Sequence, residues 1–341
     1  MQRVMKVIAV CVMMLSVLSF VPQQADASEK LKEGETFHLT VLHSNDWHGH
    51  LDDTTKLENG KMHENNVAKY ATKIKEVKQQ EDNVLVLDGG DLFLRGEFES
   101  AEGDLETKLM KKMGYDGLVI GNNDFRVHPA GTGDPAQRDA FLKNYQKNAN
   151  FPLLLGNVID KDTNDYMKMT DPYHTYTFKK GVKIGVIGLT SMKPENRKWN
   201  DVKDLDFIEP TKALKKLVPE VSKKSDANIV LSHVGNKGDH DLAKHPGVSA
   251  VLGADTHKVI KGGAEYESNG HENVPITQGG GEEEHYLGRL NLTYKVKNGQ
   301  LELVDSKDKL YDIENVKADP KIKHMIDEYR ADMKDDQGQA A

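Results

Sequence analysis

Cysteine is almost missing from this 341-residue chain, and the only one, Cys11, lies near its amino terminus. Around it stand Arg3 and Lys6, an apolar run from Val7 to Val21, and then Ala25-Asp26-Ala27. That is the form of a secretory signal with an A-x-A cleavage site, so residues 1–27 are expected to be removed on export. The apolar run is 15 residues long, short of the roughly 20 that span a bilayer, which argues against a membrane anchor. Val10 stands before Cys11 where a lipoprotein site would want a small residue, which argues against lipidation. The processed chain then has no thiol. Disulfides and thiolate ligands are excluded, and any metal must be held by Asp, His, Asn or Glu.

Other features are scarce as well. Aromatics make up 6% of the chain, and the two tryptophans, Trp47 and Trp199, are far apart in sequence, so no stacking platform is suggested. Net charge is -8, with lysines spread between acids rather than clustered. A nucleic-acid surface is not indicated. No later segment is long and apolar enough to cross a membrane, and there is neither an internal repeat nor a low-complexity tract. An exported chain without cysteine fits a bacterial extracellular or cell-envelope protein.

About 314 residues remain after cleavage, enough for one large domain or two small ones with a core that needs no staples. Strand-like and helix-like segments alternate. Phe37 to His43 reads as a strand, Asn66 to Gln80 as a helix, and Val84 to Leu87 as a strand. Leu105 to Met113 is a helix with Leu105, Leu109 and Met113 on one face; Leu118 to Ile120 is a strand; Ala136 to Lys147 is a helix; Pro152 to Val158 is a strand. The pattern predicts a layered α/β domain. From Tyr173 to Thr190 two strands turn at Lys180-Gly181, so the sheets are expected to be mixed. A helix follows Pro210 and reaches Lys224. Then come the strand "NIVLSH", a short helix near Leu242, the strand "VSAVLGADTH", and a hairpin from Tyr286 to Val304 turning at Asn298-Gly299. From Pro320 on, Ile322, Met325, Ile326 and Tyr329 have the spacing of one amphipathic helix. The expected divisions are the signal at 1–27, the domain at 28–318, and the helix with its polar tail at 319–341.

The chemistry gathers where strands end. The stretch "GLVIGNNDFRVHP" is a strand stopping in turn residues, and taken alone it is only a turn. Yet the first strand runs into "HSNDWHGH" with Asp46 and His48, the second into "LDGGD" with Asp91, the third into Asn122, Asn123 and Asp124. Later strands end in His233 and in Asp255 with His257. In open α/β sheets ligands bind at the carboxyl ends of strands, so these endings are expected to converge. Oxygen and nitrogen donors without sulfur suit Zn, Mn, Fe or Mg, and their number favours two divalent ions.

These residues resemble the calcineurin-like metallophosphoesterases, within them the secreted 5′-nucleotidase type. The resemblance runs through "TVLHSNDWHGHL", "LVLDGGDLF", "GYDGLVIGNNDF", "FPLLLGNVID", "VKIGVIGLTS", "IVLSHVG", "VLGADTH" and "ITQGGGEEEHYLGRL". It implies a four-layer α/β/β/α sandwich with mixed sheets. It also implies that Asp46 and His48 hold one metal, that His257 closes that site, that Asp91 bridges, and that Asn122, His233 and Asp255 hold the second metal. The implied reaction is hydrolysis of a phosphate ester, most simply a nucleotide, by water activated between the ions.

Two departures qualify it. The family usually has Gly-Asn-His with an acid shortly after; here the histidine position is Asn123 and the acid position Arg126, and "GGHTH" reads "GADTH" with Asp255 for a histidine. If the enzyme turns over, Asn123 would contact a phosphate oxygen, Arg126 or Lys258 would add positive charge, and His50 or His128 are the remaining proton sources. The alternatives are a catalytically impaired metal- or phosphate-binding protein, or an interaction protein on the same scaffold. The chain also stops where such nucleotidases continue into a domain that grips the nucleoside, so a partner domain for substrate recognition is open.

Overall fold

A computed structural model describes residues 30–126 and 131–339. The expected signal with Cys11, and His128, lie outside the described residues. Two six-stranded sheets form the centre. The first runs, edge to edge, Gln300–Leu310, Gly288–Lys297, Thr36–Ser44, Val84–Asp88, Gly117–Val119 and Leu153–Leu154; the second runs Glu265–Ser268, Asn273–Thr277, Ala250–Leu252, Ala227–His233, Lys183–Thr190 and Tyr173–Thr177. Thr36–Ser44 pairs parallel with Val84–Asp88 and antiparallel with Gly288–Lys297. Lys183–Thr190 likewise pairs parallel with Ala227–His233 and antiparallel with Tyr173–Thr177. Both sheets are therefore mixed, as the sequence predicts.

Strand alternation builds the layers. Phe37, Leu39 and Val41 point one way and meet Ile184, Val186, Ile229 and Leu231 of the other sheet, forming the core between the sheets. Leu42 and Val86 point the opposite way, against Ile74, Leu109, Leu142 and Ile326 of the helices. On the far side Ile187, Leu189 and Val230 pack on Leu214, Leu217 and Leu242. The period of two that sends neighbouring residues to opposite faces produces this α/β/β/α order. Each such side chain contributes about 1.5–3 kcal/mol by leaving water.

Helix boundaries follow local chemistry. Val67–Gln80 starts at Asn66, whose side chain accepts from the Lys69 amide, and Pro135–Ala149 starts at a capping box of Asp134 with Gln137. Pro320–Gln339 lays Ile322 and Ile326 on the first helical layer. The hairpin turns at Asn298 and Gly299, with φ 52° and 73°, as their residue types require.

Several expected elements are revised. Pro152 to Val158 is not one strand: Leu153–Leu154 belongs to the first sheet, and Val158–Asp160 to a small three-stranded one. The chain leaves the sheet at Gly156, where a Cβ would stand 2.6 Å from Leu217 and 2.9 Å from the Pro172 carbonyl. "VSAVLGADTH" is strand only at Ala250–Leu252, and the helix after Pro210 ends at Val221. The hairpin Asp52–Lys56 with Met62–Asn66 escapes the sequence reading because its strands are polar on both faces.

Candidate metal centre

Asp46 and His48 follow the end of Thr36–Ser44, Asp91 follows Val84–Asp88, and Asn122 follows Gly117–Val119. His233 ends its own strand, and Asp255 and His257 follow Ala250–Leu252. The structure brings these seven residues together. Ligand atoms of Asp46, His48 and His257 lie within 4.8 Å of one another, and so do those of Asp46, Asp91 and His233. Asp91 Oδ2 stands 3.6 Å from His48 Nε2 and 3.3 Å from His233 Nε2. Asp255 Oδ1 is 3.8 Å from His233 Nε2, and the Asn122 side-chain amide is 2.9 Å from the same oxygen, donating from Nδ2; turned over, it would offer Oδ1 to a cation there. The sequence assigns the shared position to Asp91; in the structure Asp46 is the member common to both triads, and Asp91 belongs to one of them.

The backbone turns sharply to achieve this. Asp46, His48, Asp91, Asp255 and His257 all have positive φ, at 51°, 49°, 57°, 72° and 52°. Left-handed backbone costs a residue with a Cβ about 1 kcal/mol or more and persists where the surroundings enforce it. Here the loops zip together: the Asp46 amide donates to the Gly90 carbonyl at 2.9 Å, that of His48 to Asp91 at 3.1 Å, and that of Gly49 to Leu92 at 2.8 Å.

Side chains are aimed by their neighbours. His48 donates from Nδ1 to the Phe93 carbonyl at 3.0 Å, and His233 donates from Nδ1 to the Gly89 carbonyl at 2.6 Å. Each bond fixes the tautomer and leaves Nε2 as a lone-pair donor facing the cluster. Asp46 Oδ2 accepts from Asn45 Nδ2 at 2.6 Å and from the Asp255 amide at 3.0 Å. Asp46 Oδ1 and His48 Nε2 remain buried without a hydrogen-bond partner. Burying two acceptors that face each other is costly unless a cation satisfies both. The donor set fits a divalent ion of the Zn, Mn, Fe or Mg kind.

The acids and histidines of the cluster also act on one another. Burial opposes charge on both Asp91 and His233, yet their mutual attraction prevails, holding Asp91 well below the usual carboxylate range and His233 well above the histidine range. Burial is the main force holding His48 down and also raises Asp255.

Two supports were not foreseen in the sequence. Asp124, at the end of the third strand block, accepts from the amides of Asp91 at 2.8 Å, Leu92 at 3.1 Å and Gly121 at 2.8 Å. It thereby clamps two ligand loops, and burial together with the charge on Asp91 pushes its carboxyl up to about 7. Asn45 donates to Asp46 and to the Gly280 carbonyl at 2.5 Å, joining the first ligand loop to the glycine-rich one. Gly121 is required by close approach: a Cβ there would lie 2.2 Å from Asp91 Oδ1.

Asn123 donates from Nδ2 to Asp91 Oδ2 at 2.5 Å and from its amide to Asp91 Oδ1 at 2.8 Å. Arg126 donates to the Asn123 amide oxygen and places its guanidinium 4.8 Å from the Trp199 ring centroid. Lys258 is turned to Glu265 and Asn236, and His50 to Asp53; both are engaged away from the cluster. A cleft of about 890 Å³ opens beside His257, walled by Lys56 to Asn59 and Gly281 to Glu284.

Residues 39–259, a span that contains all seven candidate ligands, match the pattern of calcineurin-like phosphoesterases. The chain is 30% identical over 314 residues to the 5′-nucleotidase of Vibrio cholerae serotype O1, covering 81% of this chain and 52% of that protein. It is 26% identical over 328 residues to the trifunctional nucleotide phosphoesterase protein YfkN of Bacillus subtilis, covering 87% of this chain and 21% of that one. The crystal structure of the 5′-nucleotidase precursor from Thermus thermophilus superposes with a TM-score of 0.74 at 25% identity, over 87% of this chain and 59% of that chain. The chain thus spans about half the length, or less, of these curated relatives.

Proposed function

The chain belongs to the calcineurin-like phosphoesterase family, and from that premise we propose that it is an exported phosphohydrolase cleaving phosphate esters of the nucleotide type with two divalent ions. The observation that carries this reading is the pair of ligand triads sharing Asp46, with Asp46 Oδ1 and His48 Nε2 buried and unpartnered between them. One ion would be held by Asp46, His48 and His257, the other by Asn122, His233 and Asp255, with Asp91 and the shared Asp46 reaching both. Bound there, such ions polarise phosphoryl oxygens and lower the pKa of water.

The chain's own residues bind and orient. His48 and His233 keep Nε2 inward through their carbonyl bonds, and Asp124 holds Asp91 in place. Asn123 offers Nδ2 beside Asp91, where a phosphoryl oxygen of the substrate would accept from it. Arg126, stacked on Trp199, holds the Asn123 oxygen and adds positive charge at the point where negative charge develops. The cleft beside His257 admits a small phosphate ester. The relatives' names support nucleotides as the substrate class, and the candidate export signal supports an extracellular or envelope location. No helix among the described residues is long and apolar enough to cross a membrane.

Asn123 in place of a titratable group favours the second reading, a protein that binds metal or phosphate without turnover. One assay separates the two. The purified protein is stripped of metal and offered AMP, a UDP-sugar, nitrophenyl phosphate and a bis-phosphodiester with Mn²⁺, Zn²⁺ or Mg²⁺, beside Asp91→Asn. Hydrolysis that disappears in the variant supports the hydrolase. Two bound equivalents with no turnover on any ester leave the binding protein, and no bound metal sinks both.

A further inference from the structure

Three histidines face the cluster, and two are oriented by backbone carbonyls, those of Phe93 and Gly89. His257 is oriented differently. Its Nδ1 lies 3.2 Å from Glu282 Oε2 while its Nε2 lies 3.5 Å from Asp46 Oδ1. We infer that Glu282 is the positioning residue of the first metal site: it fixes the ring and tautomer of His257 so that Nε2 is presented to the ion beside Asp46. This inference rests on the two-ion reading above.

Glu282 is itself held at both its backbone and its side chain. Its amide donates to the Asp46 carbonyl at 2.5 Å, tying the glycine-rich loop to the first ligand loop. Its φ of 52° turns the chain at that point. Its carboxylate also meets Arg95 Nη1 at 2.9 Å. Arg95 sits four residues beyond Asp91 in the next ligand loop, and both Leu94 and Arg95 have positive φ, at 66° and 132°. Just before Glu282, a Cβ on Gly281 would stand 2.7 Å from the Asp46 Cβ and 2.8 Å from His257 Cδ2, so this loop lies directly on the ligands. Glu282 therefore ties together, through its amide and its carboxylate, the loops that carry Asp46, Asp91 and His257. A carboxylate behind a ligating imidazole also raises the ring's basicity, because its negative charge favours the ring as a donor to a cation. The neighbouring Glu284 has another duty: it pairs with Lys261 at 2.8 Å and accepts from the Tyr286 hydroxyl at 2.8 Å.

The test is calorimetric titration of the stripped full-length protein with Mn²⁺, beside electron paramagnetic resonance of the loaded protein. Loss of a residue that orients a ligand typically weakens metal binding 10–100-fold. Glu282→Ala is expected to weaken one of two binding events by that factor and leave the other unchanged. The coupled two-ion manganese signal of the wild type then gives way to an isolated-ion signal at equal loading. Glu282→Gln, which keeps an oxygen for Nδ1–H to donate to, should recover part of the loss, and Glu284→Gln should bind as the wild type does. Melting of the stripped variants at the wild-type temperature shows that the change is not one of folding. Wild-type affinity for both ions in Glu282→Ala overturns the inference, and so does an equal weakening of both ions with a lowered melting temperature. A wild type that binds two ions and hydrolyses nothing would refute the hydrolase and leave the role of Glu282 standing.

Discussion

Placing a histidine at position 123 asks directly what the Asn123–Arg126 pair costs a hydrolase of this fold. The side chain of residue 123 lies against Asp91, which Asn123 contacts through both its amide and Nδ2, so an imidazole there would stand at the edge of the reacting centre. A positioned general acid contributes roughly 10²–10⁴-fold, equivalent to about 3–5 kcal/mol of barrier at about 1.4 kcal/mol per tenfold. Asn123→His alone should gain little. Arg126 would then touch the ring, and two like charges about 4 Å apart in an effective dielectric near 20 repel by about 4 kcal/mol. That repulsion offsets the pull of Asp91 on the imidazole and opposes the protonated form that a general acid needs. Asn123→His with Arg126→Asp removes the repulsion and supplies a carboxylate. The assay is phosphate release with Mn²⁺ from an alkyl phosphate and from nitrophenyl phosphate. The double variant should gain at least about 100-fold on the alkyl ester, whose leaving group needs a proton, and little on the aryl ester. Equal gains on both, or none on the alkyl ester with metal still bound, would refute the reasoning.

Two other perturbations probe the scaffold. Glu106 is fully buried with neither carboxylate oxygen hydrogen-bonded, and burial pushes its carboxyl from 4.5 to about 8. A raised folded-state pKa in an acid means that stability is fully present below the unfolded value near 4.5 and is lost as pH rises to about 8. Glu106→Gln should therefore match the wild type near pH 5 and exceed it by up to roughly 4–5 kcal/mol at pH 8.5 in urea melts; parallel curves would contradict this. Gly121→Ala would place a methyl 2.2 Å from Asp91 Oδ1, so melting of the stripped protein should show a loss of about 1–3 kcal/mol together with weaker metal uptake. Unchanged uptake would mean that Asp91 is not a ligand.

The layered fold was legible because burial on both faces of a strand leaves a strong pattern: the apolar residues of "FHLTVLH" and "NIVLSH" sort into cores on opposite faces. The seven candidate ligands were legible for a related reason, since each sits at the end of such a strand. What stayed hidden depends on contacts distant in sequence. Asp124 acts through amides about thirty residues earlier, and Glu282 through His257 and Arg95. Neither has a local periodicity to betray it. The left-handed turns at Asp46, His48, Asp91, Asp255 and His257 are likewise imposed by loop zippering, and no residue type in them calls for positive φ as glycine does. Polar strands such as Asp52–Lys56 were missed because nothing apolar alternates in them.

The central claim, that two ions share this site through Asp46, is tested most directly by counting bound metal in Asp46→Asn. Asp46 is a member of both triads, so the stripped wild type should take up two equivalents of Mn²⁺ per chain and Asp46→Asn should lose tight binding of both, while His257→Ala loses one. Retention of two tightly bound ions by Asp46→Asn, with the fold intact by circular dichroism, would contradict the account.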